Sequence, residues 1–206
     1  MATGRKLHLK ARAERQGQTR QRIVDAAISL HTTVGPARTT VSAIAERAGV
    51  QRQTVYAHFP DERTLFEACS AHVRAIFPPP DVTSWAKIAD PDDRLAAALG
   101  QLYPYFRRTA GGWAAILRDA EVDALVLDMA ATRRLGYLEQ ARHALTGGWK
   151  ARGARRQRLV AFLGLAVDFR TWESLTQRQG LDDEQAAQLM VTAARCIATG
   201  GPDRHL

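Results

Sequence analysis

The sequence predicts an all-α protein, an N-terminal three-helix helix-turn-helix head followed by a C-terminal helical body, about nine helices in total. Three observations carry this. Apolar residues recur at spacings of three and four along most of the 206 residues, and no stretch shows a convincing strand alternation. Gly49 stands between two short helical patterns, the layout of a helix-turn-helix. The net charge of +8 is also lopsided: residues 1–59 hold ten Lys/Arg against three Asp/Glu, and the rest of the chain holds nineteen against eighteen. A basic excess confined to one end places an electrostatic footprint for a polyanion on the head alone.

The elements follow in order. Residues 1–18 carry Arg5, Lys6, Lys10, Arg12 and Arg15 with no sustained apolar stripe. They read as a basic, flexible arm, either solvated or reaching a minor groove or phosphates. Residues 19–64 form the head. Ile23, Ala27, Leu30 and Val34 give its first helix one apolar face, Gly35 stops that helix, and Pro36 cannot continue it. His31, near the inward face, reads as a hydrogen-bonded core or boundary histidine. Thr40 caps the second helix, whose inner face is Val41, Ile44, Ala45 and Ala48. Gly49 takes the left-handed turn at little steric cost. In the third helix Val50, Val55 and Phe59 point inward, and Arg52, Gln53 and Tyr56 share the opposite face.

Residues 65–206 form the body. Asp61 caps a fourth helix that runs to about Phe77, where Pro78, Pro79 and Pro80 force a break. Asp81 to Ala89 is a loop or short turn with Trp85. Asp90-Pro91 starts a helix through Leu95, Leu99, Leu102 and Phe106, with a kink expected from Pro104. Gly111-Gly112 should separate it from a short helix over Trp113 to Arg118. One helix is expected from about Val122 to Leu145, ended by Gly147-Gly148, followed by a basic loop and helix start over Arg152–Arg158. Leu159 to Leu175 reads as a single helix, apolar on more than one side, and Asp182 or Asp183 caps the last helix.

The head's polar face suits a DNA groove. Arg52 can pair bidentately with guanine and Gln53 with adenine, while Thr54, Tyr56 and His58 are placed for phosphates. Thr39, Thr40 and Gln51, at the helix starts, complete the set of expected DNA contacts. Ile44-Ala45, Ala48-Gly49-Val50, Thr54-Val55-Tyr56, His58-Phe59 and Leu65 together resemble the DNA-binding domain of the TetR (tetracycline-repressor) family of bacterial transcription regulators. His31 stands where such proteins usually carry an aromatic, Gln53 where a small residue is usual, and Glu62 where a Lys commonly touches the DNA backbone; Arg63 is the neighbouring substitute. The resemblance implies a homodimer on a near-palindromic operator and an inducer pocket in the body.

Leu159, Phe162, Leu163, Ala166 and Phe169, with Leu189, Met190, Ala193 and Ile197, are the expected dimer interface, two helices per chain sealing a four-helix bundle. Trp85, Tyr103, Phe106, Trp113, Met129, Tyr137 and His143 are the candidate lining of a small-molecule pocket, though each also suits ordinary packing. Asp119, Glu121, Asp123 and Asp128 either favour a cationic compound or form a solvated cluster. The expected function is a ligand-responsive repressor, with the helix from Asp61 to Phe77 as the lever between an unidentified effector and the operator. The alternatives are an architectural DNA binder without an effector, or a small helical enzyme with a DNA-targeting head.

No nucleophile–base motif, phosphate-cradling loop or metal set argues for the enzyme, and no cofactor or metal is expected. Glu139 and His143, one turn apart, lack a third ligand and read as a surface pair. Cys69 and Cys196 read as isolated buried thiols. With no apolar leader and no run long enough to span a bilayer, the expected location is the cytoplasm.

Overall fold

The computed structural model describes residues 2–132 and 136–200, with side chains from Leu9 onward, and every regular element among them is helical. The helices are α1 (Ala2–Thr33), α2 (Val41–Ala48), α3 (Arg52–His58), α4 (Glu62–Ile76), α5 (Val82–Trp85), α6 (Pro91–Asp119), α7 (Ala124–Ala130), α8 (Gly136–Leu145), α9 (Gly153–Ala166), α10 (Phe169–Glu173) and α11 (Asp183–Thr199). They fall into two compact units. The head unit is Met1–Pro78 with Ala114–Met129, and the body unit is Pro79–Trp113 with Ala130–Leu206.

In the head unit α1 reaches back to Ala2, which corrects the expectation of an irregular arm. The residues concerned are mostly Ala, Leu, Lys, Arg, Glu and Gln, all strong helix formers. Propagation from an already anchored helix costs far less than nucleating a new one. From Leu9 to Arg22 the rod is almost wholly exposed; Arg5 and Lys6 lie outside the described side chains.

The anchor is a small core. Ile23, Val24, Ala27 and Leu30 of α1 pack with Ile44, Ala45 and Ala48 of α2, Val55 and Phe59, and Leu65 of α4. Cys69 closes it, its Sγ donating to Val24 O at 3.8 Å, and burial pushes that thiol up to about 12, where it is inert. Val34, expected inside, is exposed because α1 ends one residue before it. His31, expected to be hydrogen-bonded, instead sets its ring 5.9 Å from that of Phe66.

The loop after α1 is held from an unexpected direction. Asp119, at the end of α6, is buried; its Oδ2 accepts from Ala37 N at 3.0 Å and its Oδ1 from Arg118 Nε at 2.7 Å. Arg118 Nη2 in turn donates to Val34 O at 3.0 Å. Gly35 lies under this pair with φ 96°, and a Cβ there would collide with both the guanidinium and the carboxylate. Glycine is therefore required twice, by torsion and by space.

The body unit is built on aromatic packing. Phe106 meets Trp113 at 5.3 Å and Phe169 at 5.5 Å, both edge to face, and Trp172 at 5.9 Å. Tyr103 Oη donates to Ala166 O at 2.9 Å, and Trp172 Nε1 to Asp183 Oδ1 at 2.8 Å. Buried Arg94 donates to the carbonyls of Ile88 (2.8 Å), Ala89 (3.0 Å) and Gly147 (2.9 Å), tying the ends of α5 and α8 to α6.

Two segments differ from expectation. The α6 helix passes unbroken through Pro104 and Gly111-Gly112, because Leu95, Leu99, Leu102, Phe106 and Trp113 are all buried along it. That burial outweighs a local cost of about 1 kcal/mol for a helical glycine and about 3 kcal/mol for a proline. In the expected span Val122–Leu145 the described residues form α7, helical backbone at 131–132, and α8, and Asp123 Oδ1 caps α7 by accepting from the amides of Leu125 and Val126. Leu159–Leu175 is divided, with Asp168 capping α10 through Arg170 N at 2.7 Å. The expected loop or short turn around Trp85 contains the single-turn α5, with the Trp85 ring buried. Of the two cysteines only Cys69 is buried; Cys196 lies on the outer side of α11.

Two stability measurements follow. Gly35→Ala should lower the urea midpoint, with a loss of at least about 2 kcal/mol. Burial pushes the His31 imidazole from 6.5 down to about 4, against the opposing pull of Asp119. The unfolded chain therefore binds the extra proton first: stability is full above about 6.5 and is lost as the pH falls toward 4. In urea melts at stepped pH, His31→Phe should lessen that loss by about 1–3 kcal/mol.

Candidate nucleic-acid interface

The turn that presents α3 is set by main-chain chemistry. Thr40 caps α2, its Oγ1 accepting from Ala43 N at 3.2 Å. At the other end Gly49 adopts φ 64° and ψ 42°, with its N–H reaching Glu46 O at 3.1 Å and the Val50 N–H reaching Ala45 O at 2.9 Å. A Cβ on Gly49 would meet nothing within 4 Å, so here the torsion alone favours glycine. Arg47 Nη1 donates to Ser29 Oγ at 2.6 Å and ties α2 to α1.

Within α3, Val55 is buried and fixes the helix's roll, and Phe59 just beyond it is buried as well. Arg20 adds its guanidinium over the Phe59 ring at 4.7 Å. That roll leaves Arg52, Gln53 and Tyr56 exposed on the outer side, as expected. Gln51 begins the helix through its carbonyl, which accepts from Thr54 N at 2.9 Å; its side chain makes no capping bond and is exposed. Thr54 and His58 are half-buried on the flanks.

The two threonines before α2 are not equivalent. Thr39 Oγ1 donates its only proton to Gly35 O at 2.7 Å, so that hydroxyl cannot also donate to a phosphate. Thr40 uses its oxygen as an acceptor and keeps its proton for an outside partner. Glu62 sits in the first turn of α4 behind the cap Asp61, whose Oδ1 accepts from Thr64 N at 2.7 Å. Those hydrogen bonds from Thr64 hold the Asp61 carboxyl below the usual carboxylate range. Arg63, the substitute cation, reaches Asp128 at 2.7 Å instead, and this pair holds its guanidinium above its ordinary range.

The body residues expected around a ligand are dispersed. Tyr103, Phe106 and Trp113 form part of the aromatic core, Trp85 bonds to Gln101 Oε1 through Nε1 at 3.2 Å, and Tyr137 Oη donates to Pro80 O at 3.0 Å. Met129 lies in the head unit and His143 is exposed. Glu139 pairs with Arg142. Among the described residues no group of three or more potential ligands could hold a metal ion.

Of the expected interface, Leu159, Leu163, Ala166, Phe169 and Met190 are buried within the chain itself. Phe162, Ala193 and Ile197 are half-buried and Leu189 is exposed. The sequence reading omitted Leu165, 58 % exposed on α9. Its spacing from Phe162 and Ala161 was the only signal available. Among the described residues no helix is long and apolar enough to cross a membrane.

Residues 23–69 match the family described as bacterial regulatory proteins, tetR family. No curated protein matches the chain. Solved structures do. A TetR-like transcriptional regulator from Rhodococcus sp. RHA1 superposes with a TM-score of 0.64 at 21% identity, covering 88% of this chain and 96% of that one. NalD, the secondary repressor of the MexAB-OprM multidrug efflux pump in Pseudomonas aeruginosa, gives 0.61 at 18% identity, over 88% and 96%. A protein from Saccharomonospora viridis, described as a transcriptional regulator and crystallised in complex with choline, gives 0.61 at 17% identity, over 87% and 96%. At these identities the likeness is one of fold.

Proposed function

Since residues 23–69 place this chain in the tetR family of bacterial regulatory proteins, we propose that it is a ligand-responsive repressor that binds a near-palindromic operator as a homodimer. DNA-binding transcriptional regulation is the family's work, and the family is one of regulators rather than enzymes. The observation that carries the finer reading is the roll of α3. Val55 inside, with Phe59 behind it, fixes an outer face of Arg52, Gln53 and Tyr56, with no acidic side chain among them. Such a helix can enter a major groove, with Arg52 and Gln53 at base edges and Thr40, Thr54, Tyr56 and His58 at phosphates.

Dimerisation is supported by the apolar side chains left open on the last helices, Leu165 on α9 and Leu189 on α11, flanked by half-buried Phe162, Ala193 and Ile197. Two heads about 34–36 Å apart would meet successive major-groove faces. The expected lever, α4, lies wholly in the head unit, whereas α6 contributes residues to both units and holds the α1–α2 loop through Arg118 and Asp119. We therefore assign the transmitting role to α6. The effector is a small organic molecule, and Trp85, Tyr103, Phe106, Trp113 and Tyr137 are the proposed body residues that respond to it. It can release DNA only through different affinities for the two states, typically about 1–3 kcal/mol of coupling. A chain of this kind works in the cytoplasm, where its operator is.

Selection from randomised DNA tests the base-reading roles. Arg52→Ala should relax preference at one or two positions, at a cost of ~1–3 kcal/mol. Tyr56→Phe should weaken binding evenly across sequences. An unchanged preferred site in Arg52→Ala would remove that residue from the reading face.

A further inference from the structure

The head unit contains a cavity of about 360 Å³ directly behind α3. Its wall includes His31 of α1, Val55 and Tyr56 of α3, Phe66 of α4, and Val126 and Met129 of α7. The volume suits a compact one-ring molecule, within the lower range of ordinary ligand sites at about 300–1,000 Å³. Three carboxylates also line it, Asp61, Glu62 and Asp123, and no Lys or Arg does.

We propose that this cavity is a binding site for a small aromatic cation, an ammonium group carried on a single ring, distinct from the body region assigned above. The carboxylates are free enough to serve. The capping hydrogen bonds of Asp61 and Asp123 all fall on Oδ1, so that the Oδ2 of each remains open to a new donor. Glu62 is exposed in the first turn of α4, at the positive end of that helix rather than in an ion pair. His31 does not offset this charge, because burial holds its imidazole near 4 and it is neutral at pH 7.

The apolar part of the wall complements the ring. Val126 and Met129 are buried and supply the floor. Arg20 already sits over Phe59 and His31 beside Phe66, which leaves the ring of Tyr56 as the open aromatic face for the ligand. An ammonium-bearing ring gains both attractions here, whereas a carboxylate-bearing ring of the same size meets three like charges. Occupancy would press on Val55 and Tyr56 of the recognition helix. The further consequence, that the ligand weakens operator binding, rests on the regulator reading.

The chain's three methionines provide the readout, since Met129 lines the cavity, Met190 lies in α11 of the body unit, and Met1 is terminal. Methyl-labelled methionine in the full chain would be titrated with phenethylammonium and, separately, phenylacetate, and followed by NMR. The Met129 methyl should shift saturably with phenethylammonium while Met190 stays still, and phenylacetate should bind at least about tenfold more weakly. Glu62→Gln and Asp123→Asn, both near-isosteric, should each weaken the cation at least about threefold. Val126→Trp, which fills the cavity, should abolish the shift; if it does not fold, the two isosteric variants carry the test.

A Met129 resonance unmoved at millimolar probe, a shift of Met190 in its place, or equal affinity for phenylacetate would overturn the site. This measurement needs no DNA, so failure of the regulator reading leaves it standing. Release of a selected operator by phenethylammonium with Met129 unmoved would refute this cavity and leave that reading intact.

Discussion

The contact on which the head's geometry turns is the closure of Arg118 and Asp119 over Gly35. One carboxylate and one guanidinium satisfy a main-chain N–H and a main-chain carbonyl in the loop that leads into α2. The carboxylate is buried and the guanidinium beside it is half open to solvent, an arrangement in which each group offsets the other's desolvation. Outward movement of the loop would take the Ala37 N–H from Asp119 Oδ2 and the Val34 carbonyl from Arg118, and any side chain at Gly35 would collide with both groups. The helix that follows is held further by Ile44, Ala45 and Ala48 in the core and by Arg47 on Ser29.

Much of this architecture was legible in the sequence because it depends on short-range rules. Asp61 and Asp182 cap their helices as expected, and Asp182 with Gln185 completes a reciprocal capping box. Gly49 takes the left-handed conformation for which its place between two patterns argued. The misreadings arose where local preference and long-range burial disagree. Pro104 and Gly111-Gly112 look like breaks, yet the stripe from Leu95 to Trp113 is buried throughout and the helix holds. Asp168 falls inside the expected span Leu159–Leu175, yet it bonds the amide of Arg170 and starts a new helix.

The exposed polar face of α3 was legible for the same reason: a seven-residue helix with an αL turn before it has one roll compatible with burying Val55. What could not be read was the use of each proton. Thr39 and Thr40 are identical in sequence terms, and only the acceptor chosen by each hydroxyl separates a loop tether from a candidate phosphate donor. Met129 was assigned to a body pocket by its neighbours in sequence, whereas α7 carries it into the head unit. The cavity behind α3 escaped altogether, since its walls come from residues 31 to 129 and no window of sequence contains them.

Tyr56 belongs to both surfaces of α3, being 47% exposed toward the outer face while also lining the cavity. A side chain shared in this way couples the two without any long pathway. A ligand and a phosphate that prefer different positions of one ring must oppose each other, and by the same amount in each direction. The magnitude is bounded by how differently that ring can be held, so a small ligand behind α3 need contribute only one or two kilocalories of preference to alter occupancy on DNA roughly tenfold. The arrangement also explains why acidic residues are tolerated at the start of α4, beside the exposed face of α3 that carries Arg52. Asp61 and Glu62 favour that helix's N-terminus on their own account, and the negative rim they form lies on the cavity side of Tyr56 rather than among Arg52 and Gln53.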